Sequence, residues 1–404
     1  MRAQMERLRI AVVDVFRRFP WLGWAGWIVF CLIALARTHP RRFASTFTFY
    51  LEAAERLVTH QQVYDPNSLG EFLYFPIALV VLAPFTRIDP VIAAAITMTL
   101  YAGVFTWGCF ALVSRLLPRG AGDLNALALA GVLLLINVPA AWFNFKGVQS
   151  QVIMTGCMLA AGAAMIRAQW LWASFWLFVA IVFKPLALVM VLLCVALCPR
   201  MRLPLIAAMV LAATLPFVFF DGGYLLEQYR DFGIKLWAIA SVPAQEWIYR
   251  ADLSTLLAAV GVQLPSLVSL AIRLAAALAT LFLAWRVRGT GGARSFAFAV
   301  VILSACYINL FSPRNEFLSF VVLTPSLVAL ALVMLVRNDR DVCAWLLILA
   351  ALVLGFAWNL KLDSWMKPAI VLAIYVWLAW LMIVPARWRD LVEAADAGPT
   401  GAPR

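Results

Sequence analysis

The chain is a succession of long apolar runs separated by short polar breaks. Runs such as Trp170 to Phe183 are apolar on every face, which fits neither the one-sided stripe of a soluble helix nor the alternation of a membrane β-strand. At about 20 apolar residues per crossing, the bilayer is the natural ruler. Spans are predicted at about 20–37, 90–117, 124–142, 148–166, 169–183, 185–199, 203–220, 266–287, 295–312, 317–336, 343–360 and 366–385. Prolines at 185, 204, 216, 265, 313, 325 and 368 punctuate them, near ends more often than centres. Leu73 to Phe85 is apolar but too short to cross unaided, so it is expected to be re-entrant or to lie in the interface. The fold class is therefore all-α: a polytopic integral membrane protein of about 12 transmembrane helices, with an interfacial helix and a short re-entrant segment.

Arginine placement orients this array. Residues 1–19 carry Arg7, Arg9, Arg17 and Arg18 around the apolar stripe Leu8, Val12, Val15 and Phe16, the pattern of an amphipathic helix on the cytoplasmic surface. Residues 20–388 form one membrane domain, and residues 389–404, rich in Ala, Gly and Pro towards the end, are expected to be a disordered cytoplasmic tail. With Leu73 to Phe85 not crossing, Arg115, Arg119, Arg167, Arg200, Arg202 and the later clusters at 286–294, 337–340 and 387–389 share the side of both termini. That predicts a multi-pass protein of the inner (plasma) membrane with an extracytoplasmic working face. The outer side then owns two loops, about 38–72 and 221–265, and short turns at 143–148, 184–185, 312–316 and 361–365. It also receives all five lysines and twelve of the twenty acidic residues, so the scarce reactive groups gather on one side.

Composition sharpens the class. With 65% hydrophobic and 13% charged residues, no soluble enzyme, secreted disulfide scaffold or disordered chain fits. The net charge of +12 is explained by the arginines that set topology, and no basic stripe interleaved with aromatics points to nucleic acid. The seven cysteines lie inside apolar runs and read as packing residues rather than disulfides or metal ligands. His39 and His60 are lone loop histidines. Phosphate-binding glycine loops, dinucleotide fingerprints, nucleophile elbows and metal-spaced histidine pairs are all missing. No cofactor or metal is expected, and the substrate should arrive already activated or already in the membrane.

Four segments carry candidate chemistry. Residues 46–58 have helical spacing with an apolar face of Phe47, Tyr50, Ala54 and Leu57, and with Glu52 either turned towards the following segment or simply solvated. In Asn309-Leu-Phe-Ser312-Pro-Arg314-Asn315-Glu316, an Arg and a Glu sit at the junction of two apolar runs, where burial of charge seldom serves structure alone, although a helix-end anchor is the simpler alternative. Lys184-Pro185 interrupts an apolar stretch and offers a cation for a phosphate. The turn Asn144-Phe-Lys146-Gly147-Val-Gln149-Ser-Gln151 offers amides suited either to a polyol or to bonding between helices. Arg273, inside a span, must snorkel or meet an anion.

The segments Tyr64-Asp65-Pro66, Phe72-Leu-Tyr74-Phe-Pro76 and Pro84, followed by the Gln149 turn, Lys184-Pro185 and Ser312-Pro313, resemble glycosyltransferase family 87 over about residues 40 to 335. That resemblance implies a C-type glycosyltransferase fold similar to the polyprenol-phosphate-mannose-dependent mannosyltransferases. It also implies a polyprenyl-phosphate sugar as donor, a lipid or glycan acceptor, membrane lipids as surroundings, and an acidic base in the first outer loop. The sequence departs from the pattern at Thr46, which stands ahead of Phe47 and Tyr50 where an Asp is expected. A substitute base has to be a carboxylate, with a cation to stabilise the departing phosphate. Glu316 with Arg314 or Lys184 is the first candidate, and Glu52 or Asp65 the second, with Gln149, Lys146, Tyr74 and Tyr50 as substrate-binding residues. A lipid-linked-sugar flippase and an inactive relative acting in envelope glycan assembly remain as alternatives.

Overall fold

A computed structural model describes residues 18–37, 46–65, 72–117, 126–241, 250–290, 292–313, 315–338, 341–358 and 360–393. The predicted amphipathic helix (all but its last two residues), most of the tail, His39 and Arg314 lie outside the described residues. In chain order the helices are α1 (Leu22–Ala36), α2 (Thr46–Val58), α3 (Pro76–Leu82), α4 (Pro90–Leu116), α5 (Ala126–Ile136), α6 (Val138–Lys146), α7 (Gln151–Ile166), α8 (Trp170–Phe183) and α9 (Leu188–Leu197). The second half contributes α10 (Pro199–Thr214), α11 (Gly222–Ser241), α12 (Leu253–Ala259), α13 (Ser266–Thr290), α14 (Ala293–Phe311), α15 (Thr324–Arg337), α16 (Val342–Gly355), α17 (Leu360–Ile383) and α18 (Pro385–Glu393). Extended pairing among the described residues is confined to one isolated bridge between Arg250 and Glu316.

Among the described residues five helices are long and apolar enough to cross a membrane: α4, α10 with the turn after it, α13, α14 and α17. The pair α5 and α6 makes a sixth if counted as one span bent by 60°. Pro139 in the first turn of α6 has no N–H to give the preceding helix, which accounts for the bend. The remaining predicted stretches are shorter apolar helices, so each of the twelve contains one. Leu203 and Leu267 keep 77% and 75% of their surface exposed on α10 and α13, an arrangement that fits a lipid-facing rather than a watery surface. The fold is that of a polytopic all-helical membrane protein.

The centre of the bundle is α7 with α14 and α15, helices buried on nearly every face. Along α7, a methyl group on Gly156 would lie 2.6 Å from the Phe105 Cα, and Leu112 sits 3.6 Å from where a side chain on Gly162 would begin. These small residues let α4 and α7 run close together and in the same direction. Helix α1 runs opposite to α4, Trp24 meeting Phe110 and Trp27 meeting Phe105. Helix α8 brings Phe183 back to Tyr101, and α9 returns Cys194 to Met165 at the far end of α7. Tyr101, Ser150 and Lys184 therefore share one end of the bundle, and Arg115, Arg167, Arg200 and Arg202 the other.

The segment from Tyr74 to Asp89 stays at the tyrosine end. Helix α3 continues into a 3-10 turn, Ala83–Arg87, and both pack against α2 before Asp89 caps α4 by accepting from the amides of Val91 and Ile92. Helix α2 buries Phe47, Tyr50, Ala53, Ala54 and Leu57, the predicted face with Ala53 added. Against it lies α11, whose Gln228 accepts from the Val63 amide at 3.0 Å and whose Phe232 ring meets those of Tyr64 and Phe75 at a tilt.

Candidate active site

Tyr74 is the hub of a polar cluster enclosed by apolar helices. Its hydroxyl lies 2.5 Å from that of Tyr50 and accepts from Ser150 Oγ at 3.0 Å. Its backbone carbonyl accepts from the Tyr64 hydroxyl at 2.7 Å, which ties the stretch after α2 to the start of α3. The Lys184 ammonium lies 5.8 Å above the Tyr74 ring. Beside this group, Gln149 Nε2 donates to Thr46 Oγ1 at 2.7 Å. Burial pushes the Tyr50 phenol well above its ordinary value, and the neighbouring Tyr74 adds to that, so Tyr50 is a neutral hydrogen-bonding group rather than a base.

Local sequence explains each placement. Pro185 has no amide hydrogen and steers the residue before it out of the helical region, so α8 stops and Lys184 adopts an extended backbone, φ −159°. Between α6 and α7, Val148 takes φ +49°, which a β-branched residue seldom tolerates, and the turn it makes presents Gln149 and Ser150. About 16 Å of helix separates Tyr101 from the α4 start at Pro90, and about 22 Å separates it from the end at Leu116. The cluster thus sits inside the tyrosine half of the bundle rather than on its rim.

The predicted amide face does not form as one helix face, because the turn at Gly147 and Val148 divides it. Asn144 donates to its own helix at Ala140 and across to the Leu318 carbonyl at 2.9 Å. Gln149 binds Thr46, and Gln151 is buried with both amide atoms lacking a hydrogen-bond partner among the described residues. Lys146 is exposed at the end of α6, and Glu52 is exposed on the face of α2 opposite Tyr50, so neither joins the cluster. Asp65 is half-buried beside Tyr64.

Glu316 is half-buried on a second network that abuts the first. Its backbone pairs with that of Arg250, while Asn315 Nδ2 donates to the carbonyls of Ala251 at 2.6 Å and Asn309 at 2.9 Å. Arg250 Nε meets Asp252 Oδ2 at 2.6 Å, both side chains being nearly inaccessible. Burial raises the Asp252 carboxyl, against the pull of Arg250 and the more distant Arg273. Arg273 itself is half-buried, its carbonyl accepting from Tyr307. From the far side, Lys367 donates to the Phe317 carbonyl at 3.3 Å and lies 3.7 Å from Asp363. The two networks meet where Asn144 holds Leu318 and, through its own carbonyl, the Gln149 amide.

The arrangement brings Tyr50, Tyr74, Gln149 and Lys184 together, sets Glu316 on an adjoining segment, and leaves Glu52 and Lys146 outside. It adds Thr46, Tyr64, Ser150 and Asn144 as partners. Among the described residues no group of three His, Cys, Asp or Glu side chains could hold a metal ion.

No curated protein matches this sequence. The sequence profile of glycosyltransferase family 87 matches residues 72–313, more than half of the chain. The matched stretch contains Tyr74, Lys146, Gln149 and Lys184, and it stops just short of Arg314 and Glu316. An all-helical membrane bundle with a polar cluster recessed among apolar helices, matched by this profile over that length, belongs to glycosyltransferase family 87 and is a multi-pass membrane glycosyltransferase.

Proposed function

We propose that the protein is a hexosyltransferase that moves a mannose-like sugar from a polyprenyl-phosphate donor to a lipid or glycan acceptor on the extracytoplasmic face of the plasma membrane, with inversion at the anomeric carbon. The observation that carries the reading is Lys184: a half-buried cation at a helix break, over the ring of Tyr74, whose hydroxyl meets those of Tyr50 and Ser150. A phosphate tethered to a lipid can reach such a place from the side, and an ammonium there stabilises charge as the phosphate departs. The arginines at the opposite end of the bundle support a cytoplasmic assignment for that end.

In this reading an acceptor hydroxyl attacks the anomeric carbon while the bond from that carbon to the phosphate oxygen breaks. The electron pair leaves with the phosphate, towards Lys184, and the hydroxyl proton passes to a carboxylate. Glu316 is the preferred base, because its segment is tied through Leu318 and Asn144 to the turn that carries Gln149. Asp65, beside Tyr64, is the second candidate. Tyr50, Tyr74 and Gln149 supply donors and acceptors for sugar hydroxyls, and metal is not required when Lys carries the phosphate charge.

The test is transfer of labelled hexose from polyprenyl-phosphate hexose by the purified full-length protein in lipid nanodiscs. Glu316→Gln should lower the rate about 100-fold or more, and Asp65→Asn much less. Transfer from nucleotide sugars but from no lipid-phosphate sugar would overturn the donor assignment, and movement of donor lipid across the bilayer without transfer would favour a flippase.

A further inference from the structure

Three sulfur atoms meet at the arginine end of the bundle, away from the tyrosine cluster. Cys194, near the end of α9, donates from Sγ to Met165 Sδ on α7 at 3.9 Å, and the thiols of Cys194 and Cys198 hydrogen-bond each other. Four positions apart on a helix is the spacing that sets two side chains one above the other. The Cys198 amide donates to the Cys194 carbonyl at 2.7 Å, so the last turn of α9 carries both thiols on one face. Met165 and Cys194 are buried, and Cys198 keeps 5% of its surface exposed. Arg202, exposed at the start of α10, caps α9 by donating to the Val195 and Ala196 carbonyls at 2.9 and 3.1 Å. Its charge and that of Arg288 bear on Cys198. Met165 lies about 21 Å along α7 from Gln151, so the sulfur cluster is remote from the proposed sugar transfer and does not depend on that reading.

We propose that Met165, Cys194 and Cys198 form a binding site for a soft monovalent metal ion of the Cu(I) type. Thiolate and thioether sulfurs select such an ion over the hard divalent ions that carboxylates and carbonyls hold. At a metal–sulfur distance of about 2.3 Å, three sulfurs in a trigonal plane stand about 4.0 Å apart. Cys194 and Met165 stand 3.9 Å apart, so this edge of the triangle is preformed. Binding releases the two thiol protons to water, and Cu(I) with two thiolates carries one net negative charge, which Arg202 and Arg288 offset. Cys198, the sulfur ligand with surface left exposed, is the point of entry, and the buried pair behind it shields the ion from competing thiols. A disulfide fits the same two cysteines less well, because Cβ atoms four apart on a helix lie about 5–6 Å from one another, against about 3.8 Å in a disulfide. In the sequence both cysteines read as packing residues; the fold adds the thioether of a residue 29 positions away.

The test is a titration of the purified full-length protein in nanodiscs with Cu(I), under reducing conditions without oxygen and in competition with a chromophoric Cu(I) chelator. The wild type should withdraw one equivalent of Cu(I) from the chelator. Cys198→Ser should weaken that binding about 100-fold or more, and Met165→Leu about tenfold. Cys343→Ser, at an exposed cysteine on α16, should leave it unchanged. A wild type that withdraws no copper, or a Cys198→Ser protein that binds as tightly as the wild type, overturns the site. A second measurement needs no variant: X-ray absorption of the copper-loaded wild type should show about three sulfur neighbours at about 2.3 Å. A first shell made of nitrogen or oxygen overturns the site equally.

Discussion

Removing one oxygen from Tyr74 tests whether the cluster is a connected network. In Tyr74→Phe the ring over which Lys184 sits is kept, and what is lost is the partner of Tyr50 at 2.5 Å and of Ser150 at 3.0 Å. Both stranded hydroxyls belong to residues only 3% and 2% exposed, so water cannot replace the missing oxygen without rearrangement. At about 1 kcal/mol net per hydrogen bond, the loss is about 2 kcal/mol for Tyr74→Phe and about 1 kcal/mol for Tyr50→Phe. The double variant removes both ends of the Tyr–Tyr bond, and it should lose about 2 kcal/mol rather than the additive value of about 3 kcal/mol. Unfolding by SDS titration in mixed micelles measures all four corners of this cycle, and transfer rates on the same samples show whether the hydroxyls also orient the sugar. Additivity within about 0.3 kcal/mol would refute the shared bond.

Thr46→Asp keeps an acceptor for the Gln149 amide, so the substitution should fold, and in a Glu316→Gln background it should restore transfer to at least a tenth of the wild-type rate; no recovery would mean that position 46 does not face the reacting atoms. Asp252→Asn removes the carboxylate from a buried guanidinium and should destabilise by about 3 kcal/mol, read by the same titration, with a change below about 0.5 kcal/mol counting against the pair. Because burial holds Tyr50 above its ordinary value, an unfolded phenol ionises first as pH rises past about 10, so folded stability should fall from there upward, and less steeply in Tyr50→Phe.

Much of the architecture was legible in the chain because apolar runs of bilayer length have few other uses. The twelve runs became helices, and the spacing of Phe47, Tyr50, Ala54 and Leu57 correctly gave the buried face of α2. The helix break at Lys184 was visible because a charge followed by proline has no business inside an apolar run. The wiring of the site was not visible, since the bond of Ser150 to Tyr74 spans 76 positions and that of Gln149 to Thr46 spans 103, and periodicity has no information at that range. Glu52 shows the opposite error: a carboxylate two residues from a buried tyrosine attracts notice, yet on a helix those two positions point to different faces. The clamp of Arg250 and Asp252 on the Glu316 segment was hidden for the same reason as the tyrosine wiring. Two loops distant in sequence had to be brought together first.

The break at Lys184 has a further consequence for the surrounding lipid. Helix α8 is about 21 Å long and α9 about 15 Å, against about 30 Å of hydrocarbon. A bilayer matched to α4 is too thick for α8 and α9, and thinning of the leaflet on the tyrosine side is one way to accommodate the mismatch. Such a dip would draw headgroups and water down towards the ammonium, and the lipid-phosphate donor proposed above would meet it while giving up little of its hydration.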